Sequence, residues 1–186
     1  TQRKLKYVGA TKIKMRGSKV VSIEYENIPL KNYAKDAEVE AQIKEIEANP
    51  ALKLVVGSMA KAVNHVGLCN LQTKIIKEAT DAEIGIYHRG GVRIIEGLPK
   101  GDVTVKTLFD NEPFFSQIHT CEMTAAQLRK LIVEKYNDTV NAKESHVVDL
   151  YATTPYNIIT DENDMAYDVE FPLLKESRKY KVAVAD

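Results

Sequence analysis

The 186-residue chain has no tryptophan and only two cysteines, Cys69 and Cys121. Two cysteines cannot build the disulfide framework of a small secreted domain, and no Cys-x-x-Cys pair is present to hold zinc. No apolar run approaches the roughly 20 residues that a membrane-spanning helix needs. The 26 basic and 26 acidic side chains give a formal net charge of zero. Overall charge therefore favours neither nucleic acid nor an anionic membrane as a partner, and any anion site must come from local arrangement.

Clustered metal ligands are also missing. The four histidines are well separated along the chain, and no His-x-His, Gly-Asn-His or Gly-His-x-His pattern occurs. An acid–base pair can be drawn from Asp102 or Glu112 with His119, but no nucleophile with a placed base can be named. The sequence therefore disfavours an enzyme that works through its own residues, and we expect background phosphatase activity from this chain alone.

The elements that are present predict a mixed α/β domain. A β-hairpin is predicted over 5–30, and Asp36 is a suitable N-cap for a helix that Asn49-Pro50 ends. Residues 52–59 predict a buried strand, and apolar spacing predicts a helix over 68–79. Further elements follow, with a capping box at Thr124–Gln127 and strands at 82–87, 103–108, 146–151, 156–160, 165–171 and 179–184. Because strands and helices do not alternate strictly, we favour a mixed sheet with packed helices over a doubly wound fold.

The segment YHRGGVR places two arginines around two glycines where a predicted strand ends. Gly90 and Gly91 lack a Cβ, so main-chain N–H groups there can approach a ligand closely. Arg93, and Arg89 beside it, offer planar guanidinium groups that suit phosphate or carboxylate. The same pattern is also typical of a plain turn with surface arginines. The segment alone leaves both interpretations open.

Other short segments extend the pattern in a fixed order along the chain. They are Leu68-Cys69-Asn70-Leu71, Gly90-Gly91-Val92-Arg93, Gly101-Asp102-Val103-Thr104, Pro113-Phe114, Met123-Thr124 and Tyr180-Lys181-Val182-Ala183. In this order the segments resemble the C-terminal, substrate-binding domain of the 5′-nucleotidase family, which includes UDP-sugar hydrolases and 2′,3′-cyclic nucleotide phosphodiesterases. The resemblance covers about residues 51–186.

The resemblance also implies a domain organisation. Residues 1–32 resemble the β-hairpin that ends the family's metallophosphatase domain, residues 33–50 resemble its linker helix, and residues 51–186 resemble the substrate domain. In that family, two divalent metal ions in the metallophosphatase domain perform the chemistry. The resemblance implies that these ions lie in a catalytic domain not present in this chain, on the same gene or a separate chain.

The site residues implied by the resemblance are those of recognition. Arg93 is expected to contact the anionic part of the substrate and Phe114 to stack on the base, although a core role for Phe114 is equally open. His88 stands where the family usually has Asn or Ser, and a histidine there can donate to a ribose or phosphate. The full expected set is Arg93, Phe114, Gly90, Gly91, His88, Arg89 and Asn70, with a structural role the main alternative for Asn70.

The resemblance further implies a second aromatic and a ribose-binding aspartate in a Gly-Gly-Asp-Gly-Phe-like segment. That segment would follow the strand that ends near Asp186, so tight nucleoside binding is not expected here. The predicted function is nucleotide recognition for a 5′-nucleotidase-like phosphohydrolase, in the periplasm or at the cell surface. The alternative is a degenerate, non-catalytic binding or interaction module of the same fold.

Overall fold

A computed structural model describes residues 6–141 and 148–185. The chain divides into two compact units between Asn49 and Pro50. Within the described residues, no helix combines the length and the apolarity that crossing a membrane requires. The strands and helices, in chain order, are β1 (Tyr7–Arg16), β2 (Lys19–Pro29), α1 (Ala37–Glu47), α2 (Pro50–Lys53), β3 (Val55–Met59), α3 (His65–Ala79), β4 (Ile84–His88), β5 (Gly101–Thr104), α4 (Val105–Asn111), β6 (Ile118–Thr124), α5 (Ala125–Val140), β7 (Leu150–Ala152), β8 (Asn157–Thr160), β9 (Ala166–Glu170) and β10 (Lys179–Ala185).

The first unit contains an amphipathic hairpin and one helix. β1 and β2 pair antiparallel, and Gly17 turns the chain between them with a φ of 60°. Ile13 lies opposite Ile23 on one face, while Lys12 lies opposite Glu24 on the other. Both isoleucines are exposed. The predicted hairpin is therefore confirmed, and so is the cap on α1, where the Asp36 carboxylate accepts from Glu38 N and Val39 N.

A four-stranded mixed sheet organises the second unit. Its strand order is β6-β10-β4-β7, with β10 parallel to β4 and antiparallel to β6. Successive β4 side chains point to opposite faces. Ile84 and Ile86 pack with Leu128 of α5, whereas Tyr87 packs with Leu68 of α3. A helix therefore covers each face of β4, and the predicted mixed α/β fold is confirmed.

Gly85 sets how closely α3 approaches the sheet. A Cβ built at this position would lie 2.1 Å from the carbonyl oxygen of Thr73 in α3. Only glycine leaves room for that helix backbone. The buried side of α3 consists of Leu68, Cys69, Thr73 and Ile76.

Several predictions of local structure were wrong in detail. The predicted buried strand 52–59 begins only at Val55, after α2, and β3 is largely exposed. Among the described residues, β3 pairs with β5 alone in a two-stranded ribbon. Helix α4 replaces the second half of the predicted 103–108 strand, since Thr104 and Thr107 form a capping box. β6 was not predicted at all. The predicted strands 156–160, 165–171 and 179–184 match β8, β9 and β10 to within a residue at each end. The predicted strand 146–151 was too long: β7 begins only at Leu150, and 146–147 lies outside the described residues.

The predicted helix over 68–79 also needs two corrections. It starts earlier, at His65, because the Asn64 side chain caps it by accepting from Gly67 N. Its buried face is also rotated from the predicted one, since Leu71 and Ile75 are exposed.

Candidate functional site

β4 delivers the Gly-Gly segment to the edge of the sheet. Its residues 84–87 are buried, and a single 3₁₀ turn, Arg89–Gly91, follows directly. Gly91 is buried against the Tyr87 ring: a Cβ there would lie 2.5 Å from both Cε1 and Oη of Tyr87. Neither Gly90 nor Gly91 has a positive φ. Close packing against Tyr87 thus accounts for the second glycine without reference to a ligand.

Arg93 and Phe114 lie side by side. The Arg93 Cζ atom is 5.7 Å from the centroid of the Phe114 ring, within the range of a cation–π contact. Arg93 Nη1 donates to Gly90 O at 3.1 Å, which folds the side chain back over the turn. Both residues are exposed, and Phe114 retains 55% of its accessible surface. Within 6–141 and 148–185, Arg93 forms no ion pair, so none of these residues compensates its charge.

Arg89 has a different environment. Its Nε donates to Asp149 Oδ1 at 3.1 Å, and its backbone N donates to Asp149 O at 2.9 Å. This ion pair is partly shielded from solvent. The carboxylate compensates the guanidinium, so Arg89 has less to offer an anion than Arg93 has.

His88 and Asn70 line other cavities. His88 lies on the β4 face of Ile86 and lines a cavity of about 380 Å³ with Lys135 of α5. Asn70 is exposed on α3 and lines a cavity of about 550 Å³ with Tyr156. Neither lining includes Arg93 or Phe114. The structure therefore brings together Arg93, Phe114 and Gly90, with Gly91 next in the turn and packed against Tyr87, and does not bring His88 or Asn70 to the same cavity.

The site has two halves, the turn that leads to Arg93 and the segment that carries Phe114. The sequence analysis did not assign the residues that join them to the site. Tyr87 Oη donates to Glu112 Oε1 at 3.3 Å, and Ser116 Oγ donates to the same oxygen at 2.9 Å. Arg93 N donates to Asn111 O at 2.8 Å. The available signal was a tyrosine inside a run of buried strand residues and a glutamate directly before Pro113.

His65 of α3 forms a hydrogen bond with the backbone between Gly91 and Arg93. Its Nε2 donates to Val92 O at 3.0 Å and lies 3.9 Å from Cys69 Sγ. Burial raises the pKa of the Cys69 thiol to about 11, which keeps it protonated and unreactive at neutral pH. Burial, and then the Glu112 carboxylate, raise the pKa of Tyr87 to about 12, so that its hydroxyl remains a donor.

Metal-dependent chemistry would need ligands that the described part of the chain does not group together. No cluster of three or more His, Cys, Asp or Glu side chains suited to a metal ion occurs in residues 6–141 and 148–185. The described residues thus do not fit a two-metal centre. What the Arg93–Phe114 pair offers is a cationic hydrogen-bond donor beside an exposed ring.

Solved structures with a similar fold belong to much longer proteins. A putative 5′-nucleotidase from Staphylococcus aureus aligns with 97% of this chain at a TM-score of 0.67 and 15% identity. A 5′-nucleotidase precursor from Thermus thermophilus aligns with 97% at 0.66 and 15% identity, and the NAD nucleotidase of Haemophilus influenzae with 82% at 0.57 and 15%. The chain spans 41%, 40% and 32% of these three proteins, respectively. No curated protein sequence gave a match.

A family comparison is decisive for the second unit. The family described as "5′-nucleotidase, C-terminal domain" matches residues 50–186, which is most of the chain and begins at the boundary between the two units. The order of short motifs around Arg93 and Phe114 predicted this assignment. The chain therefore belongs to the 5′-nucleotidase family, of which residues 50–186 are a C-terminal domain.

Proposed function

We propose that this chain is the nucleotide-recognition part of a 5′-nucleotidase-like phosphohydrolase. The observation that carries the proposal is the exposed Arg93 guanidinium, without an ion pair among the described residues, 5.7 Å from the exposed Phe114 ring. Family membership supports a nucleotide as the ligand class. The proteins of similar structure include 5′-nucleotidases and an NAD nucleotidase, in agreement with that class.

The chemistry of the pair suits the two ends of a nucleotide. A guanidinium donates in a planar fork that matches phosphate oxygens, and Arg93 uses one such N–H for Gly90 O. A nucleobase stacks on an exposed aromatic ring, a contact that contributes about 1–3 kcal/mol in nucleic-acid systems. The guanidinium beside the ring places both interactions within the reach of one small ligand.

Hydrolysis, on this proposal, belongs to a metallophosphatase domain outside the chain. Such a domain would supply two divalent metal ions that activate water and stabilise charge at phosphorus. Two observations support the need for more polypeptide: relatives are more than twice as long, and Ile13, Ile23 and Tyr25 form an uncovered apolar face on the hairpin. We also propose a periplasmic or cell-surface location, by analogy with the family.

Titration calorimetry with AMP and adenosine tests the proposal. Arg93→Ala should weaken AMP binding about tenfold or more, because it removes a charge-assisted hydrogen bond to the phosphate. Adenosine, which has no phosphate, should lose much less in that variant, whereas Phe114→Ala should weaken both ligands.

Arg178→Ala is the matched control. Arg178 also stacks on a ring, with its Cζ 4.7 Å from the Tyr180 centroid, but it pairs with Glu83. This control should bind AMP as the unaltered chain does. Equal AMP binding by Arg93→Ala and the unaltered chain, or no AMP binding even with the catalytic domain supplied, would contradict the proposal.

One observation favours a second candidate, a binding module without hydrolysis. The Arg89–Asp149 ion pair occupies one of the two arginines that the sequence offered for anion binding. The two candidates differ when the chain is joined to its upstream domain and assayed with manganese or zinc. AMP binding with background phosphate release would favour the module.

A further inference from the structure

Tyr87 is the residue through which the two halves of the site are linked. It lies in β4 with only 2% of its surface exposed, and its ring packs against Gly91. Its hydroxyl donates to Glu112 Oε1, which also accepts from Ser116 Oγ. One phenol thus contacts both the glycine turn that leads to Arg93 and the segment that carries Phe114.

Two other contacts hold the segment Glu112–Ser116: Glu112 N donates to Leu108 O at 2.9 Å, and the Phe115 ring meets the Phe109 ring edge-on with centroids 5.4 Å apart. Neither contact links the segment to β4. Phe114 is 55% exposed and Phe115 is 77% exposed, so burial contributes little at either ring. Phe115 has a φ of 55°, in the left-handed region that is costly for a residue with a side chain. Polar anchors at both ends of the segment must offset that cost. Glu112 accepts from both sides: from Tyr87 across the site and from Ser116 at the far end of the segment.

We infer that Tyr87 is a positioning residue, whose hydroxyl acts through Glu112 to hold residues 112–116 so that the Phe114 ring stands beside Arg93. The main-chain bond from Arg93 N to Asn111 O ties the start of the same segment to the turn. Without the Tyr87 hydroxyl, that bond remains but the ring-bearing part of the segment loses its link to β4. The consequence for ligand affinity rests on the function proposed above, whereas the consequence for ring mobility does not.

The mobility test uses the absence of tryptophan from this chain. In a Phe114→Trp background, a single indole reports on the ring position by its fluorescence anisotropy and by acrylamide quenching. Adding Tyr87→Phe should lower the anisotropy and increase the quenching. Adding Tyr180→Phe is the matched control, since Tyr180 belongs to the other core cluster and is 5% exposed, and its hydroxyl oxygen accepts an internal hydrogen bond from Lys175 N.

Conservative variants of Glu112 separate positioning from general stability. Glu112→Gln keeps an oxygen that can accept from Tyr87 and Ser116, so the indole should stay as immobile as in the parent. Glu112→Ala removes the acceptor and should match Tyr87→Phe. Unchanged indole mobility in Tyr87→Phe, or an equal change in Tyr180→Phe, would overturn the inference.

The affinity test uses the unlabelled chain with adenosine and AMP. The net value of one hydrogen bond predicts that Tyr87→Phe weakens adenosine binding roughly threefold to tenfold. The ratio of AMP to adenosine affinity should stay constant in Tyr87→Phe, since Arg93 is intact, and should fall in Arg93→Ala. A changed ratio in Tyr87→Phe would overturn the positioning role. If the unaltered chain bound neither ligand, the proposed function would be contradicted. The positioning role of Tyr87 would then be decided by the indole mobility measurements alone.

Discussion

At the scale of single residues, Gly91 shows how tightly the site is packed. The Tyr87 ring is buried and its hydroxyl donates to Glu112, so moving the ring away from an added methyl group would disturb both its packing and this hydrogen bond. Interiors pack so densely that even one extra carbon forces neighbours off their preferred positions. Gly91 and Tyr87 therefore pack as one unit.

Replacing Gly91 by alanine is expected to destabilise the fold. The added Cβ would sit 2.5 Å from Tyr87, and overpacking of this kind typically costs about 1–3 kcal/mol. Urea unfolding followed by circular dichroism measures the change. Gly57→Ala is the control, because nothing lies within 4 Å of a Cβ built there. Equal unfolding midpoints for the two variants would show that the Tyr87 contact does not limit the site.

The residues of the site were predictable from the sequence only where a short local motif contains them. Arg93 and Phe114 stand in short motifs, and the structure places them side by side. Whether they bind a nucleotide stays a prediction. The partner of Arg89 was not predictable, because Asp149 lies 60 residues away and no local signal links the two. The role of Glu112 was missed for the same reason, since its donors come from β4 and from its own loop.

At the scale of elements, local hydrogen-bonding signals were the most dependable. The capping box at Thr124 is present: its Oγ1 accepts from Gln127 N, and Gln127 Oε1 accepts from Thr124 N. The same chemistry at Thr104 turned a predicted strand into α4. Burial was harder to predict than helicity, because which face of α3 is covered depends on its contact with β4 at Gly85.

Removing the cap of α5 should weaken the second unit. Thr124→Ala leaves the first amide groups of the helix without their side-chain acceptor, at a typical cost of about 0.5–2 kcal/mol. The loss is measurable as a lower thermal midpoint. Gln127→Glu keeps the reciprocal bond and should stay close to the unaltered chain. A Thr124→Ala variant as stable as Gln127→Glu would contradict the role given to the cap.

At the scale of the whole molecule, the two units differ in how they are stabilised. All buried side chains among the described residues belong to the second unit, from Leu68 to Ala183. The first unit has a regular hairpin and a capped helix, but none of its described residues, 6–49, is buried. Burial of apolar surface is the main stabilising term in folding, so the second unit holds nearly all of it.

Deleting residues 1–49 should therefore leave cooperative unfolding intact. The remaining chain, 50–186, keeps every buried residue of the described structure and is the part that the family domain matches. Its calorimetric transition is expected at the same temperature as that of the full chain. Loss of a cooperative transition on deletion would show that the hairpin and α1 contribute to the core.

The amphipathic hairpin has a practical consequence for the chain in solution. In the part of the chain that the structure describes, β1 and β2 pair only with each other, and one face of this hairpin exposes Ile13, Ile23 and Tyr25. Free strand edges and bare apolar faces are surfaces on which polypeptides add to one another. At high concentration and without a covering domain, we therefore expect the molecules to self-associate through this hairpin. The solubility of the chain would then depend on residues remote in sequence from Arg93 and Phe114.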